Sequence, residues 1–307
     1  VIDVMDNIYE RLDNGEKVIG LYFDLQKAFD TVNHEILLYK LEKLGVRGIV
    51  HDWFKNYLTD RYQYTFCNAV KSGMMKIDCG VPQGSVLGPL LFLVYMNDIN
   101  AALPDQKIKL FADDTNLFIS GKNLSEASEL AADCIGKLSE WFTANKLTLN
   151  IDNTCFMVFP PDKTNSVALC INGKTINKVG SCRYLGVIID DELKWNDHIQ
   201  HVYNKLIKYV GIFYKLRNKL PITMLQTIYY AFVHSHLLYA VEVYANTCPT
   251  YLEKLIKLNN KLLRMLQNKP LLYPVALLYN EFNTLPVVSA WPRGLGRALL
   301  ALTSQKA

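Results

Sequence analysis

Three aspartates in this chain sit where a charge is costly. Asp24 falls near the end of VIGLYFDL (18–25), a nearly continuous apolar run, and Asp113 and Asp114 interrupt KIKLFADDTNLFIS (107–120) between two alternating segments. An ionised carboxylate beside an apolar strand loses hydration that it must recover elsewhere. A hard divalent cation supplies that recovery. Mg²⁺ takes oxygen ligands on rigid strands, usually one or two carboxylates with substrate phosphates completing the shell. Two such ions about 3.5–4 Å apart can activate an attacking hydroxyl and stabilise a leaving pyrophosphate. The bland alternative is a solvated Asp-Asp turn. It fits less well here, because apolar strands flank the pair and a third aspartate ends another such strand.

A second segment, GVPQGSVLGP (80–89), sets Gln83 among glycines and a proline. Glycine permits close backbone approach to a ligand, and proline fixes a turn. Taken alone, the segment reads as an ordinary turn before a helix.

The pattern also gives the elements that must hold these groups. Ile2, Met5, Ile8, Tyr9 and Leu12 fall at helical spacing, and Asn14 and Gly15 end that helix. Residues 18–25 read as a strand buried on both faces. Asn33 caps a helix with Leu37, Leu38, Leu41 and Leu44 on one face and Gly45 as its stop, and another helix is expected over 48–58. Strands at 62–66 and 74–78 should pair through Ser72 and Gly73. A helix over 87–99 precedes a hairpin with Asp113 and Asp114 at its tip. Ser125 caps a helix from 126 to about 146, and strands are expected near 156–159, 167–171 and 183–189. After Trp195 three amphipathic helices follow, the third opened by a Thr250-x-x-Glu253 capping box. Trp53, Trp141 and Trp195 read as core, and the His198/His201 and His234/His236 pairs as packing or surface groups.

At 307 residues and 50% apolar, the chain is large enough for two packed regions and cannot be disordered. Net charge is −6 over 1–193, +8 over 194–270 and +2 over 271–307, an acidic front followed by a basic helical segment. That split suits a metal site beside a phosphate-binding surface. Seven cysteines without a CxxC pair argue against a zinc cluster or disulfide scaffold, and read as small core fillers in a reducing, intracellular compartment. The longest apolar run, 90–96, is far too short to span a membrane. Residues 1–13 carry four acids and do not resemble a leader, and with no initiating Met the chain reads as a piece of something larger.

FDLQKAFD (23–30), GVPQGSVLGP (80–89) and FADD (111–114), in this order and spacing, resemble the reverse transcriptase domain of non-LTR retrotransposons of the LINE-type, jockey-like kind. The resemblance continues through LTLN (147–150), RYLGVIID (183–190) and SHLLY (235–239), to about residue 286. It implies an α+β fold. A polymerase right-hand palm of the split βαβ type, an antiparallel sheet with helices, is expected over 1–193, then an α-helical basic thumb over 194–286 and an atypical tail over 287–307.

By the same resemblance Asp24 and Asp113 match the metal-bridging aspartates, with Asp114 as the third carboxylate and Leu25 in the metal-ligand set. Phe29 matches the aromatic gate that rejects a 2′-hydroxyl, with Ala28 beside it. Gln83 and Gly84 match the turn against the incoming nucleotide and template, and Tyr184, Leu185 and Gly186 the primer grip. The implied cofactor is a pair of Mg²⁺ ions, for which Mn²⁺ can substitute. The implied partners are an RNA template, a DNA primer or target and dNTPs, with nuclear access and no membrane.

Departures from the family pattern carry expectations of their own. The fingers and endonuclease regions of the parent polyprotein are missing, so exposed apolar surface and poor solubility are expected. The family's Lys-Thr after LTLN reads Asn153 and Thr154 here, which implies slower chemistry if that lysine protonates pyrophosphate. Two rivals stand beside the polymerase: an inactive retrotransposon-derived fragment that retains nucleic-acid binding only, and a palm-type transferase or cyclase without a template.

Overall fold

The computed structural model describes residues 1–162, 167–284 and 286. The fold is α+β, and the chain divides into two compact units. One is Glu10–Gly180; the other joins Val1–Tyr9 to the described residues from Ser181 on.

Helix α1 (Ile2–Asp13) buries Val4, Met5 and Ile8. Strand β1 (Lys17–Phe23) is buried at every position from 18 to 23, as a continuous apolar run requires of a central strand. Helix α2 (His34–Lys43) is capped by Asn33, whose side chain accepts from the Ile36 N–H. Leu37 and Leu41 are buried, but Leu44 is the C-cap residue and is exposed, against expectation. Helix α3 (Ile49–Leu58) follows.

A narrow two-stranded arm comes next. β2 (Arg61–Gln63) pairs with β5 (Met75–Ile77), and β3 (Phe66–Cys67) with β4 (Val70–Lys71). The turn lies at Asn68 and Ala69, both at positive φ, and not at Ser72 and Gly73 as expected. Two residues at positive φ match the twist of a tight hairpin. Ser72 instead pins the arm, its Oγ accepting from the Thr65 N–H at 2.8 Å.

Helix α4 (Leu87–Met96) stops three residues short of expectation, and a 3₁₀ turn (Ile99–Ala102) follows. Strands β6 (Ile108–Phe111) and β7 (Asp114–Gly121) form the expected hairpin. Helix α5 (Leu124–Ala144) is capped by Asn123 and not by Ser125. Asn123 has the extended backbone a cap needs and accepts from Glu126 N–H at 2.9 Å, whereas Ser125 is already helical. Strands β8 (Cys155–Phe159), β9 (Cys170–Ile171), β10 (Lys174–Thr175) and β11 (Asn177–Lys178) complete this unit. The strand expected over 167–171 is therefore only its last two residues, paired with β10.

The main sheet runs β11-β8-β1-β7-β6, with β1 antiparallel to both neighbours. Its core joins Ile19, Leu21 and Phe23 to Ile135, Leu138 and Phe142 of α5. Burial of this kind contributes roughly 1.5–3 kcal/mol per large side chain.

In the second unit, β12 (Ser181–Tyr184) and β13 (Val187–Asp190) form a hairpin. The strand expected over 183–189 breaks at Leu185 and Gly186, both at positive φ. Helices α6 (Asn196–Leu216), α7 (Ile222–Tyr229), α8 (Ser235–Leu238), α9 (Val241–Tyr244), α10 (Pro249–Leu266) and α11 (Val275–Glu281) follow, with a π turn (Tyr230–His234) between α7 and α8. The expected Thr250–Glu253 capping box does not form. Pro249 already opens α10, and Glu253 pairs with Lys257 at 2.8 Å.

Trp195 is buried, but Trp53 is 51% exposed. Only Cys134 among the seven cysteines is buried, and none forms a disulfide, so the cysteines are not in general core fillers. No described helix is long and apolar enough to cross a membrane. The tail at 287–307 lies outside the described residues.

Candidate active site

Sheet register aligns Asp24 with Asp114. The last β1–β7 pair is Phe23↔Thr115, so Asp24 and Asp114 stand one step further along two adjacent antiparallel strands. Such neighbours lie about 4.5–5.5 Å apart at Cα. The last β6–β7 pair is Phe111↔Asp114, which leaves Ala112, at positive φ, and Asp113 as the turn. Asp114 is held above the usual carboxylate range, first by partial burial and then by the charges of Asp113 and Asp24.

Asp24 is held by the loop after α5. Its N–H donates to Thr154 Oγ1 at 3.3 Å, and its carbonyl accepts from Asn150 N–H at 2.8 Å. Its Oδ2 accepts from Asn150 Nδ2 at 2.8 Å and from Asn153 Nδ2 at 3.0 Å. Thr154 is fully buried and donates to the Asn150 carbonyl at 2.8 Å, which fixes the loop from beneath. Both amides take the same oxygen, which leaves Oδ1 for a ligand.

Leu25 forms an isolated bridge with Leu149. The flanking bonds are Gln26 N–H to the Thr148 carbonyl at 2.9 Å and Asn150 N–H to that of Asp24. In that pairing the Leu25 carbonyl turns to the other side of its strand, the β7 side.

These groups offer a cation hard oxygen donors only, and their mutual repulsion is what a divalent ion relieves. Among the described residues no three His, Cys, Asp or Glu side chains form a ready metal cage.

Ala28 is buried and Phe29 half-buried in a 3₁₀ turn (Ala28–Asp30). The Phe29 ring stacks on Phe92 of α4, centroids 4.5 Å apart. The GVPQG turn docks on the same segment. Gly80 N–H donates to the Val32 carbonyl at 2.7 Å and Val81 N–H to that of Phe29 at 2.8 Å. Gly80 is at positive φ, and a Cβ there would sit 2.8 Å from the Asp30 oxygen, so only glycine fits. Gln83 Nε2 donates to Asp30 Oδ1 at 2.9 Å. Gly84, also at positive φ, faces open space. A cavity of about 740 Å³ is lined by Lys27, Asp30, His34, Arg61, Lys76 and Gln83 among others, and none of the three aspartates lines it. A second, of about 450 Å³, is lined by Leu25, Lys27 and Asn150 among others, so Lys27 borders both.

One unit therefore holds Asp24, Leu25, Ala28, Phe29, Gln83, Gly84, Asp113 and Asp114. Tyr184, Leu185 and Gly186 belong to the other, at the β12–β13 turn. There Tyr184 is buried and the Leu185 carbonyl accepts from the Tyr239 hydroxyl at 2.5 Å. Sequence reasoning missed Asn150 and Asn153 as holders of Asp24; the amide that ends LTLN and a second three residues on were its only signal. Nothing in the sequence marks the Asp30–Gln83 pair. His198 is a packing residue: it is buried, its Nδ1 accepts from Ile188 N–H at 3.3 Å, and burial with the His201 and Lys205 charges lowers its pKa to about 4.

Comparison with known proteins bears on this arrangement. The family described as reverse transcriptase (RNA-dependent DNA polymerase) matches residues 4–189. The RNA-directed DNA polymerase from mobile element jockey of Drosophila melanogaster is 27% identical over 277 residues, 87% of this chain and 30% of that protein. Its counterpart in Drosophila funebris is 30% identical over 281 residues, again 87% and 30%. The chain thus spans less than a third of the length of these relatives. A solved telomerase from Candida albicans, in complex with a fragment of telomeric RNA, covers 92% of this chain and 54% of its own at 14% identity, with a TM-score of 0.48. The family match takes in β1, the turn at 80–84 and the β6–β7 hairpin, and with more than half its length inside that match the chain belongs to the reverse transcriptase (RNA-dependent DNA polymerase) family.

Proposed function

We propose that the chain is the palm and thumb of an RNA-directed DNA polymerase that adds dNTPs to a primer 3′-hydroxyl on an RNA template. The observation that carries this reading is the register that sets Asp24 opposite Asp114, with Asp113 in the adjoining turn. Asp24 and Asp113 would hold two Mg²⁺ or Mn²⁺ ions, with Asp114 and the Leu25 carbonyl contributing. Bound there, the ions would activate the primer hydroxyl and stabilise the departing pyrophosphate.

The remaining work falls to the chain's own residues. Asn150 and Asn153 fix the Asp24 carboxylate. Phe29, braced by Phe92, is the surface under the sugar that excludes a 2′-hydroxyl, and Ala28 leaves room beside it. Gln83, held by Asp30, and Gly84 present the turn to nucleotide and template. Tyr184, Leu185 and Gly186 grip the primer. Residues 1–193 act as palm and 194–286 as thumb, whose basic helices meet product phosphates without reading sequence. Asn153 cannot serve as a general acid toward pyrophosphate as a lysine could, so turnover is slow. The parent polyprotein supplies fingers and endonuclease regions, and it works inside the cell with access to the nucleus.

Primer extension tests this reading, with a DNA primer, an RNA template and Mg²⁺ or Mn²⁺, wild type beside Asp113→Ala. Template-dependent DNA synthesis that vanishes in the variant is the expected result. Folded, duplex-binding protein that makes no DNA would instead be a nucleic-acid-binding fragment without catalysis. Synthesis that ignores the template would point to an untemplated transferase.

A further inference from the structure

The β2–β5 arm has no part in the chemistry above, yet its composition is specific. Tyr62, Tyr64 and Phe66 recur at every second position and are 56%, 49% and 62% exposed. Tyr62 lies in β2, Phe66 in β3 and Tyr64 between the two strands; at the usual strand rise every second residue is about 6.6 Å along, room for one base on each ring. The pairings Tyr62↔Lys76 and Phe66↔Lys71 set a lysine opposite each of the two strand aromatics. Lys71 Nζ lies 5.0 Å from the centre of the Tyr64 ring, in agreement.

Between 61 and 77 the arm carries Arg61, Lys71 and Lys76 and no acid. Lys76 also lies 3.7–3.9 Å from the flanking Asp78 and Asp60, exposed pairs of little strength. A face built to pack on protein keeps charge out of its centre. Here lysines alternate with aromatics, the combination that holds unpaired nucleic acid by stacking and phosphate contact. The arm's base is continuous with the substrate side: Arg61, Gln63, Lys76 and Ile77 line the same cavity as Lys27 and Gln83.

We propose that the arm is a track for the unpaired RNA template. Bases stack on Tyr62, Tyr64 and Phe66, Lys71 and Lys76 meet the phosphates, and the strand is led toward the Gln83 turn. The inference rests on the polymerase reading for the identity of the strand.

The test is fluorescence anisotropy of the full chain with a fluorescein-labelled single-stranded RNA, a DNA of the same sequence and a blunt RNA–DNA duplex. Tyr62→Ala, Tyr64→Ala and Phe66→Ala combined should weaken single-stranded RNA binding by about tenfold or more and leave duplex binding within about twofold. Tyr62→Phe, Tyr64→Phe and Phe66→Tyr combined should restore it. Met75→Ala, on the opposite face, should change nothing, and Lys71→Glu should weaken binding and flatten its salt dependence.

Unchanged RNA affinity in the alanine variant overturns the track. So does a variant that changes the chain's mass in sedimentation instead, because the face would then be a protein contact. Equal binding and equal loss with the DNA strand overturns the assignment to RNA. Primer extension separates the two readings. Template-dependent synthesis with unaltered RNA binding in the variants leaves the polymerase and sinks the track. RNA binding that depends on the aromatics in a wild type that makes no DNA does the reverse.

Discussion

The unit Glu10–Gly180 contains two hairpins with chemistry-bearing side chains, and they are built in opposite ways. In β6–β7, residues 115–119 are buried against β1 and the helix beneath, and the aspartates sit at the end of that anchored strand. In the β2–β5 arm, all nine strand residues other than Ile77, and Tyr64 between the strands, are in solvent, and only the base adjoins the rest. The difference fits the role proposed for each. Charges that share a cation need fixed geometry, and buried neighbours supply it. Rings that stack on a strand of any sequence need reach and tolerance, which an exposed arm supplies.

The sharpest way to break this comparison is at the tip itself. Asp113→Ala should lower primer extension by at least about a hundredfold while leaving the melting temperature nearly unchanged, because a turn carboxylate contributes charge and not packing. A variant that loses activity only because it melts would show that the tip is structural.

The next effect is on stability. Leu117→Ala, at a fully buried β7 position, should cost roughly 2–5 kcal/mol in urea unfolding. Phe66→Ala on the arm should stay within about 0.5 kcal/mol of wild type. Equal losses would mean that the arm is packed in solution.

The Asp24 clamp sharpens the picture of the anchored site. Asn150→Ala or Asn153→Ala should reduce activity and Mn²⁺ affinity about 10- to 100-fold, read from the Mn²⁺ dependence of extension. Unaltered Mn²⁺ dependence would remove the two amides from the site.

The smallest effect concerns a third hairpin, β12–β13 in the other unit, which leans on buried His198 through Ile188 N–H. His198 titrates near pH 4 when folded, below its ordinary 6.5, so the folded chain resists its protonation. The stability this represents is complete above pH 6.5 and is lost as pH falls toward 4. Burial also lowers His201, His234 and His236, which act in the same direction. Melting temperature should therefore fall across that window, and His198→Phe should shallow the fall. A flat profile between pH 7 and about 4.5 would contradict it.

Much of the fold was legible because its signals are local. The six-residue buried run of β1, the Asn33 cap, the glycine stop at Gly45 and the alternation around Asp113 and Asp114 each need only neighbours in sequence. The misreadings were also local, where two signals competed. Asn123 displaced Ser125 as a cap because an extended backbone was available two residues earlier. Asn68 and Ala69 displaced Ser72 and Gly73 as the arm's turn because Ser72 was needed to pin Thr65.

The sequence by itself determined which residues could do the chemistry: three aspartates in apolar strands, a glycine-rich turn around Gln83, and a basic helical half. Only the tertiary structure decided how they meet. Asp24 lies some 90 residues from Asp114 and about 126 from Asn150, and their approach is set by the pairing of β1 with β7 and by the loop after α5. The hold of Asp30 on Gln83 spans 53 residues and depends on Gly80 lying against the 3₁₀ turn. Propensity acts over a few residues, whereas register is fixed by which apolar side chains the whole sheet can bury at once, and that cannot be read one segment at a time.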